Sequence, residues 1–446
     1  MKITFVYPGI GKKKGEEFIN TWKMEPLNIA TLKALTPSDF EVQFFDDRIE
    51  LIDYDVETDL VAITVETYTA KRSYMIAEEF KKRGRKILLG GYHVTLNPQE
   101  AVKFADSIVI GNAENVWKEV LKDLKNNRLR KIYKGDFGFF KNSVLPDRSI
   151  FKGKKYLPLK LVETGRGCPF KCEFCAISSF YKAKYYQRDI KSIVEDIERA
   201  KGKYFFFVDD NIAGNMEFLR KLCIEIEPLK IFWVSQGSLN VAKDLNLLRL
   251  MKKSGCQMLL IGFESMDERN LKQMRKDWLL KIGERNELVK RIHGEGINIY
   301  ATFVFGFDYD TEDTFKKALD FSLKHDFFFA AFNHLLPFPG TSLYERLKKE
   351  ERLLKEKWWL DNNYRYGEIS FVPKNFSPEE LSERCKKARE EFFRFSSIIK
   401  RFGSFLKRKP NLPLVYTFLI QNLNLKKEVN GKFGIPLGEN LDELPK

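Results

Sequence analysis

The run Gly165-Arg166-Gly167-Cys168-Pro169-Phe170-Lys171-Cys172-Glu173-Phe174-Cys175 places three thiols within eight residues, with no fourth at a nearby spacing. A tetrahedral structural zinc site takes four protein ligands, and iron–sulfur clusters are normally closed by four thiolates. Three thiols spaced C-x3-C-x2-C therefore leave one metal position open to a ligand that is not protein. Two plainer arrangements use the same residues: a zinc knuckle completed by a distant side chain, or three buried thiols without metal. The apolar run Lys160-Leu161-Val162-Glu163-Thr164 reads as a strand, which puts the triad on the loop that follows it.

Downstream the alternation continues. Tyr204 to Val208, Ile231 to Ser235, Met258 to Ile261, Ile299 to Phe305 and Phe332 to Leu336 read as strands with helical stretches between them. Together with the strand before the triad they make six βα units. These predict a partial (βα)6 TIM-type barrel over residues 158–340, with reactive groups at the carboxyl ends of its strands.

The triad, its Gly-Arg-Gly and Phe174 neighbours, and the order of polar strand ends after it resemble the radical S-adenosylmethionine (SAM) superfamily. The resemblance implies a 4Fe-4S cluster on Cys168, Cys172 and Cys175, one iron being left for the amino and carboxylate groups of SAM. It places Asp209 and Asp210, with Asn211, near the methionine moiety or the substrate; on the residues alone, capping of the next helix explains them equally well. Ser235, Gln236 and Ser238 suit a ribose or carboxylate. Gly262, Glu264 and Ser265 match the element that reaches the SAM amino acid or ribose, and Phe305 and Gly306 the strand whose backbone holds adenine. The turn Leu335 to Thr341 is usual in the cobalamin-associated branch. The implied chemistry is reductive cleavage of the sulfur–C5' bond to a 5'-deoxyadenosyl radical, fed by a low-potential electron donor such as ferredoxin or flavodoxin. Acid–base or Ser-His-Asp chemistry has no support, because His93, His293, His325 and His334 show no triad or metal spacing.

Residues 1–125 alternate in the same way. Ile3 to Tyr7, Glu41 to Phe45, Leu60 to Val65, Lys86 to Leu89 and Ser107 to Ile110 read as five buried strands, with helices such as Pro26 to Leu35 and Ala70 to Arg83 between them. They predict an α/β, Rossmann-like, doubly wound parallel sheet whose ligand lies at the strands' carboxyl ends. Gly90-Gly91-Tyr92-His93 follows the fourth strand and Gly111-Asn112-Ala113-Glu114 the fifth. On the residues alone Gly90-Gly91 is a strand-end turn, and His93 is as readily a hydrogen-bonded loop residue as a ligand contact. This whole segment resembles the cobalamin-binding module that precedes many radical SAM domains, through Pro26-Leu27, Thr67 to Tyr74, Gly90 to Thr95 with Pro98, and Ile110-Gly111 with Glu114. The resemblance implies cobalamin contacts from Thr67, Gly90, Gly91, Tyr92, His93, Gly111 and Glu114. The Asp-x-His-x-x-Gly signature is absent after the first strand, so a bound cobalamin would lack that histidine ligand. Asn28 and Asn112 stand where the group usually has glycine and glutamate.

Residues 126–157 read as a linker and 341–446 as a mainly helical C-terminal segment. A charged helix is expected from Leu343 to Lys357. Ser377-Pro378-Glu379-Glu380 then opens another that carries Phe392, Phe393, Phe395, Ile398 and Ile399 into the basic stretch ending Lys407-Arg408-Lys409. Aromatic, apolar and cationic residues together suit either an amphipathic helix on anionic headgroups or a helix covering the barrel with its basic side in water. The tail resembles that of radical SAM enzymes acting on polycyclic or isoprenoid lipids, including hopanoid methylases.

At 446 residues and 43% hydrophobic content the chain can build more than one core. Its other cysteines, Cys223, Cys256 and Cys385, are scattered, which argues against a disulfide framework and for a reducing, cytoplasmic setting. The start MKITFVYPGI is unlike a signal peptide, and no eighteen-residue apolar run occurs. The net charge of +15 is spread among many glutamates and has no nucleic-acid recognition motif beside it. The resemblance makes cobalamin-dependent methylation of an unactivated carbon on a small-molecule or lipid substrate the leading expectation, with peripheral contact at the inner face of the membrane. Radical cyclisation or C–C bond formation without methyl transfer is the second. A non-catalytic metal- or nucleic-acid-binding protein, holding zinc rather than iron, is the third.

Overall fold

Two six-stranded parallel sheets carry the chain. The structure, a computed structural model, describes residues 1–18, 23–138, 144–408 and 410–443; Lys409 of the basic stretch lies outside them. The first sheet is built from β1 (Lys2–Tyr7), β2 (Glu41–Asp46), β3 (Leu60–Thr64), β4 (Lys86–Gly90), β5 (Ser107–Ile110) and β6 (Ile132–Lys134). Its spatial order is β2-β1-β3-β4-β5-β6. The direction of winding reverses between β1 and β3, and the carboxyl ends there open a crevice of the kind that binds ligands in doubly wound sheets. The sheet has one strand more than the five read from sequence. β6 comes from the segment read as linker, and nearby Phe151 and Tyr133 are buried in the same core.

The second sheet takes β7 (Lys160–Val162), β10 (Tyr204–Phe207), β11 (Phe232–Gly237), β12 (Cys256–Glu264), β13 (Asn298–Phe305) and β14 (Phe329–His334), in the order β14-β13-β12-β11-β10-β7. Between β7 and β10 a small antiparallel hairpin, β8 (Gly165–Gly167) with β9 (Tyr185–Gln187), brackets the cysteine loop. Along β10 to β13 residues alternate between fully buried and half-exposed. Phe207, Trp233, Ile261 and Phe303 pack beneath the helices, while Phe206, Val234, Leu260 and Thr302 remain partly open. A closed small barrel fills its interior with side chains; here the inner face stays accessible, as a partial barrel requires.

The C-terminal segment is helical but divided otherwise than expected. The first helix, Ser342–Lys349, stops short of Lys357 because Glu351 takes a left-handed backbone (φ 53°) and Leu353 bridges to Phe371. Ser377 caps the helix Pro378–Phe392 through a capping box with Glu380, as read. The continuous helix expected through Ile399 is instead broken at Phe393 and Arg394, and new helices run Phe395–Leu406 and Leu412–Gly431. Among the described residues no helix is long and apolar enough to cross a membrane.

The chain's last described residues return to the first sheet. The Arg72 guanidinium, 1% exposed, donates to both carboxylate oxygens of Asp47 (2.9 and 2.8 Å) and both of Asp442 (2.6 and 2.7 Å). Replacing Arg72 with methionine would leave Asp47 buried and unpaired, so we expect a loss of about 3–5 kcal/mol in global stability, read as a lower denaturant midpoint.

Candidate functional site

The cysteine loop is held by the two acids that follow β10. Asp209 accepts from the backbone N–H groups of Thr164 (2.7 Å) and Gly165 (2.9 Å) and from the Thr164 hydroxyl, and Asp210 accepts from Gly167 N–H (2.7 Å). Burial pushes these carboxyls up, to about 7 for Asp209 and about 6 for Asp210, against the pull of those donors. The two acids thus anchor the stem on which Cys168 stands. Helix capping after β10 falls to Asn211, whose Oδ1 accepts from Ala213 N–H while its Nδ2 lies 3.5 Å from the Cys168 sulfur. Gly167 closes the stem in a conformation with φ 80°, and a Cβ there would collide with the Lys184 carbonyl across the hairpin.

All three loop thiols are free, partly exposed and not joined to one another. Burial pushes the Cys172 thiol up to about 12, with Lys276 working the other way. Lys276 is itself buried and donates to Glu264 Oε1 (2.7 Å) and the Gly262 carbonyl (2.9 Å); burial opposes its charge, but Glu264 and the thiols outweigh that and raise its pKa. A cation and an amide N–H beside the sulfurs of Cys168 and Cys172 suit a group that brings thiolates and net negative charge. Among the described residues no three His, Cys, Asp or Glu gather as ligands of one metal ion do. The three free thiols of Cys168, Cys172 and Cys175 are a donor set that fits a 4Fe-4S cluster.

The other residues expected around SAM sit at the ends of β11 to β13. Ser235 donates to the Phe207 carbonyl (2.7 Å), Gln236 Nε2 to the Asp209 carbonyl (3.3 Å), and Ser238 to Asn211 Oδ1 (3.2 Å). These three knit the strand ends to the anchor of the cysteine loop. Glu264 holds a left-handed backbone (φ 59°) at a bulge, and Ser265 Oγ accepts from Asp267 N–H (3.1 Å). Phe305 stacks on Phe315 at 4.1 Å on the helix side of the sheet, and Gly306 N–H donates to Asp310 (2.7 Å).

A cavity of about 410 Å³ opens at the carboxyl ends of β1, β3, β4 and β5, within the usual range for small-molecule sites. Gly90, Gly91, Tyr92, Gly111 and Glu114 are among its lining residues. Its far wall is the cysteine hairpin region, through Glu163, Arg166, Phe180 and Tyr181. Arg166, two residues before Cys168, pairs with both Glu163 and Glu114 and so pins that hairpin to the first domain across the cavity wall. Thr67 and His93 are not part of the lining. His93 is fully buried, with Nδ1 3.2 Å from Thr67 Oγ1 and Nε2 3.0 Å from Glu100 Oε1, which also accepts from Trp359 Nε1 (2.9 Å). Both ring nitrogens are engaged in a core network.

Sequence reading missed Tyr7, Arg48 and Glu66. They follow or end three different strands, and their shared place is visible only once β1, β2 and β3 are known to be neighbours at the reversal of winding. Glu66 fronts this cavity and a second one of about 310 Å³; its side chain is open to them, and the protein packed around the crevice raises its carboxyl pKa. Its charge and burial hold the Tyr7 phenol above its usual range, and the Arg48 guanidinium lies 4.4 Å over the Tyr7 ring. The glycine turns, the Glu66 carboxylate and the aromatic walls of this cavity fit a flat, polar-rimmed ligand such as a corrin, bound without a histidine.

The sequence matches the Radical SAM superfamily over residues 162–322 and a domain of unknown function, DUF4070, over 341–414. It is 31% identical to the bacteriochlorophyllide d C-12(1)-methyltransferase of Chlorobaculum tepidum, covering 84% of each chain. To the hopanoid C-2 methylase of Rhodopseudomonas palustris it is 26% identical, over 75% of this chain and 66% of that one. The solved structure of OxsB, a cobalamin-dependent S-adenosylmethionine radical enzyme with aqua-cobalamin bound, shares the fold with a TM-score of 0.67 at 15% identity, covering 96% of this chain and 72% of that one.

Proposed function

The chain belongs to the radical SAM superfamily, and from that premise we propose that it is a cobalamin-dependent methylase acting on an unactivated carbon of a hydrophobic, polycyclic substrate. Superfamily membership makes it an enzyme and sets aside the non-catalytic metal- or nucleic-acid-binding reading. The single observation that supports the proposal best is the shared wall: the cavity at the end of the first sheet is closed by the very hairpin that carries the cysteines. When bound, a cluster on Cys168, Cys172 and Cys175 supplies the electron that cleaves SAM, and a cobalamin in the cavity supplies a methyl carrier.

In this reading the residues of the chain divide the work. Asp209 and Asp210 fix the height and tilt of the cysteine loop, and Lys276 with Asn211 balances the charge beside the sulfurs. Gly262, Glu264 and Ser265 would meet the amino-acid or ribose end of SAM, and the backbone at Gly306 its base. The turns at Gly91 and Gly111, where a Cβ would meet the Val65 and Gly135 backbone, would shape the corrin's seat, with Glu66, Tyr7 and Arg48 at its polar rim. The half-exposed inner face of the barrel, with Phe206, Val234, Leu260 and Thr302, gives an apolar bed on which a substrate carbon can lie away from water. The polycyclic substrate class rests on the tetrapyrrole and hopanoid substrates named for the two methylating relatives. A ferredoxin- or flavodoxin-type donor and a peripheral position at the inner face of a membrane complete the proposal.

Anaerobic reconstitution with iron, sulfide and methylcobalamin, followed by SAM, reductant and a lipid and pigment extract, tests it. We expect 5'-deoxyadenosine and S-adenosylhomocysteine together in substrate-dependent amounts. 5'-Deoxyadenosine without S-adenosylhomocysteine would favour radical cyclisation or C–C bond formation, the reading that Asn28 and Asn112 in the cavity lining leave room for.

A further inference from the structure

From Phe392 to Lys427 the chain contains no aspartate or glutamate, yet it holds eight lysines and arginines. At the chain's average of 62 acids in 446 residues, such a stretch would carry about five. The same stretch contributes half of the large apolar side chains that the described residues leave exposed: Phe395, Ile399, Leu406, Leu412, Tyr416, Leu419, Ile420 and Leu423. On the helix Leu412–Gly431 they fall at i, i+4, i+7, i+8 and i+11, one face of the helix, and Lys426 and Lys427 continue that face. On Phe395–Leu406 they fall at i, i+4 and i+11, and Lys400 and Lys407 are exposed beside them.

Neither helix lacks a core side of its own. Ile398, Arg401 and Phe405 from the first and Phe418, Asn422 and Val429 from the second are buried, and Phe405 stacks on Phe418 at 5.0 Å. Arg401 Nη1 and Nη2 both donate to Asn422 Oδ1 (3.1 Å each), locking the pair together. The outward stripes are thus a second apolar face on helices already docked, which a water-facing helix does not need. The chain's own tail does not cover them, because Leu437 and Leu441 are buried and Asp442 is tied to Arg72.

We propose that this helix pair is a docking surface for an anionic lipid bilayer, its apolar stripes entering the headgroup–acyl boundary and its lysines meeting lipid phosphates. A second copy of the chain fits less well, since a two-fold contact would set cations against cations with no acid on this stretch to pair them. The surface deepens the proposed function, because a membrane-dissolved polycyclic substrate would be met where the enzyme rests. Its test needs neither SAM nor reductant, so its failure would leave the proposed chemistry standing.

The test is co-sedimentation of the full chain, cluster reconstituted, with vesicles of phosphatidylcholine alone or of equimolar phosphatidylcholine and phosphatidylglycerol. We expect binding to the anionic vesicles that weakens with salt and falls to background in Tyr416→Ser/Leu419→Ser/Leu423→Ser. In Lys407→Gln/Lys426→Gln it should fall about fivefold for each charge removed. Circular-dichroism melts of each variant verify folding, and the lysine pair keeps the test valid if the serine triple melts early. Equal binding to neutral vesicles with no salt dependence would overturn the proposal. So would absence of vesicle binding, or self-association in sedimentation that the serine triple abolishes.

Discussion

A Cys172→Ala protein is expected to bind no 4Fe-4S cluster and to release no 5'-deoxyadenosine, its iron falling from about four per chain to background after reconstitution. The loop has no fourth thiol. Cys223 and Cys385 are buried within helices, and Cys256 sits at the amino end of β12, away from the mouth. Removal of one thiolate also leaves the Lys276 and Asn211 donors beside a site that no longer brings negative charge. Iron analysis and the loss of the cluster's visible absorption check the first effect, and mass spectrometry of the nucleoside checks the second. Retained SAM cleavage would mean that these cysteines do not hold the reactive centre.

Gly91→Ala should separate the two cofactors. Gly91 has φ 111°, and a Cβ on it would stand 2.7 Å from the Val65 carbonyl oxygen and 3.0 Å from the Val65 nitrogen. Both are backbone atoms of the neighbouring strand end and cannot swing aside as a side chain would. Relief requires the β4 turn to shift into the cavity it lines. Strain of this kind costs about 1–3 kcal/mol, or roughly five- to 150-fold in affinity for a ligand seated on the turn. Corrinoid retained on gel filtration should fall accordingly while iron content stays at the wild-type level. Unchanged corrinoid binding would place the cobalamin elsewhere.

Much of this architecture was legible because parallel sheets write themselves as continuous apolar runs. All five strands read in the first 125 residues and all six barrel strands exist, and the cysteine loop follows the strand that precedes it in the sequence reading. What escaped was short or conformationally atypical. β6 is three residues long with one buried side chain, Tyr133, between two exposed ones, too little for any period to show. β8 is Gly-Arg-Gly, which carries no strand preference and pairs because Asp209 and Asp210 hold its backbone. The helix expected through Lys357 kept its charged pattern past the point where the backbone turned left-handed at Glu351, and composition does not reveal that turn.

The site was read unevenly for a related reason. Cysteines announce themselves by spacing, whereas Glu66 and Arg48 become neighbours only through topology, and Lys276 reaches the cysteines from a loop a hundred residues on. His93 follows Tyr92, which does line the cavity, but one residue of helical rotation turns it into the core. Asp209 and Asp210 follow β10, and their backbone partners show them as anchors of the cysteine loop.

The central claim is that the cavity and the cysteine loop serve one reaction, with the transferred methyl passing through bound cobalamin. The direct measurement is a single turnover by protein preloaded with trideuteromethyl-cobalamin and given unlabelled SAM, reductant and a substrate that the extract assay has identified. The account predicts that the first equivalent of product carries the three deuteriums. Product bearing only the unlabelled methyl, or substrate radical chemistry with the labelled methyl left on cobalamin, would contradict it.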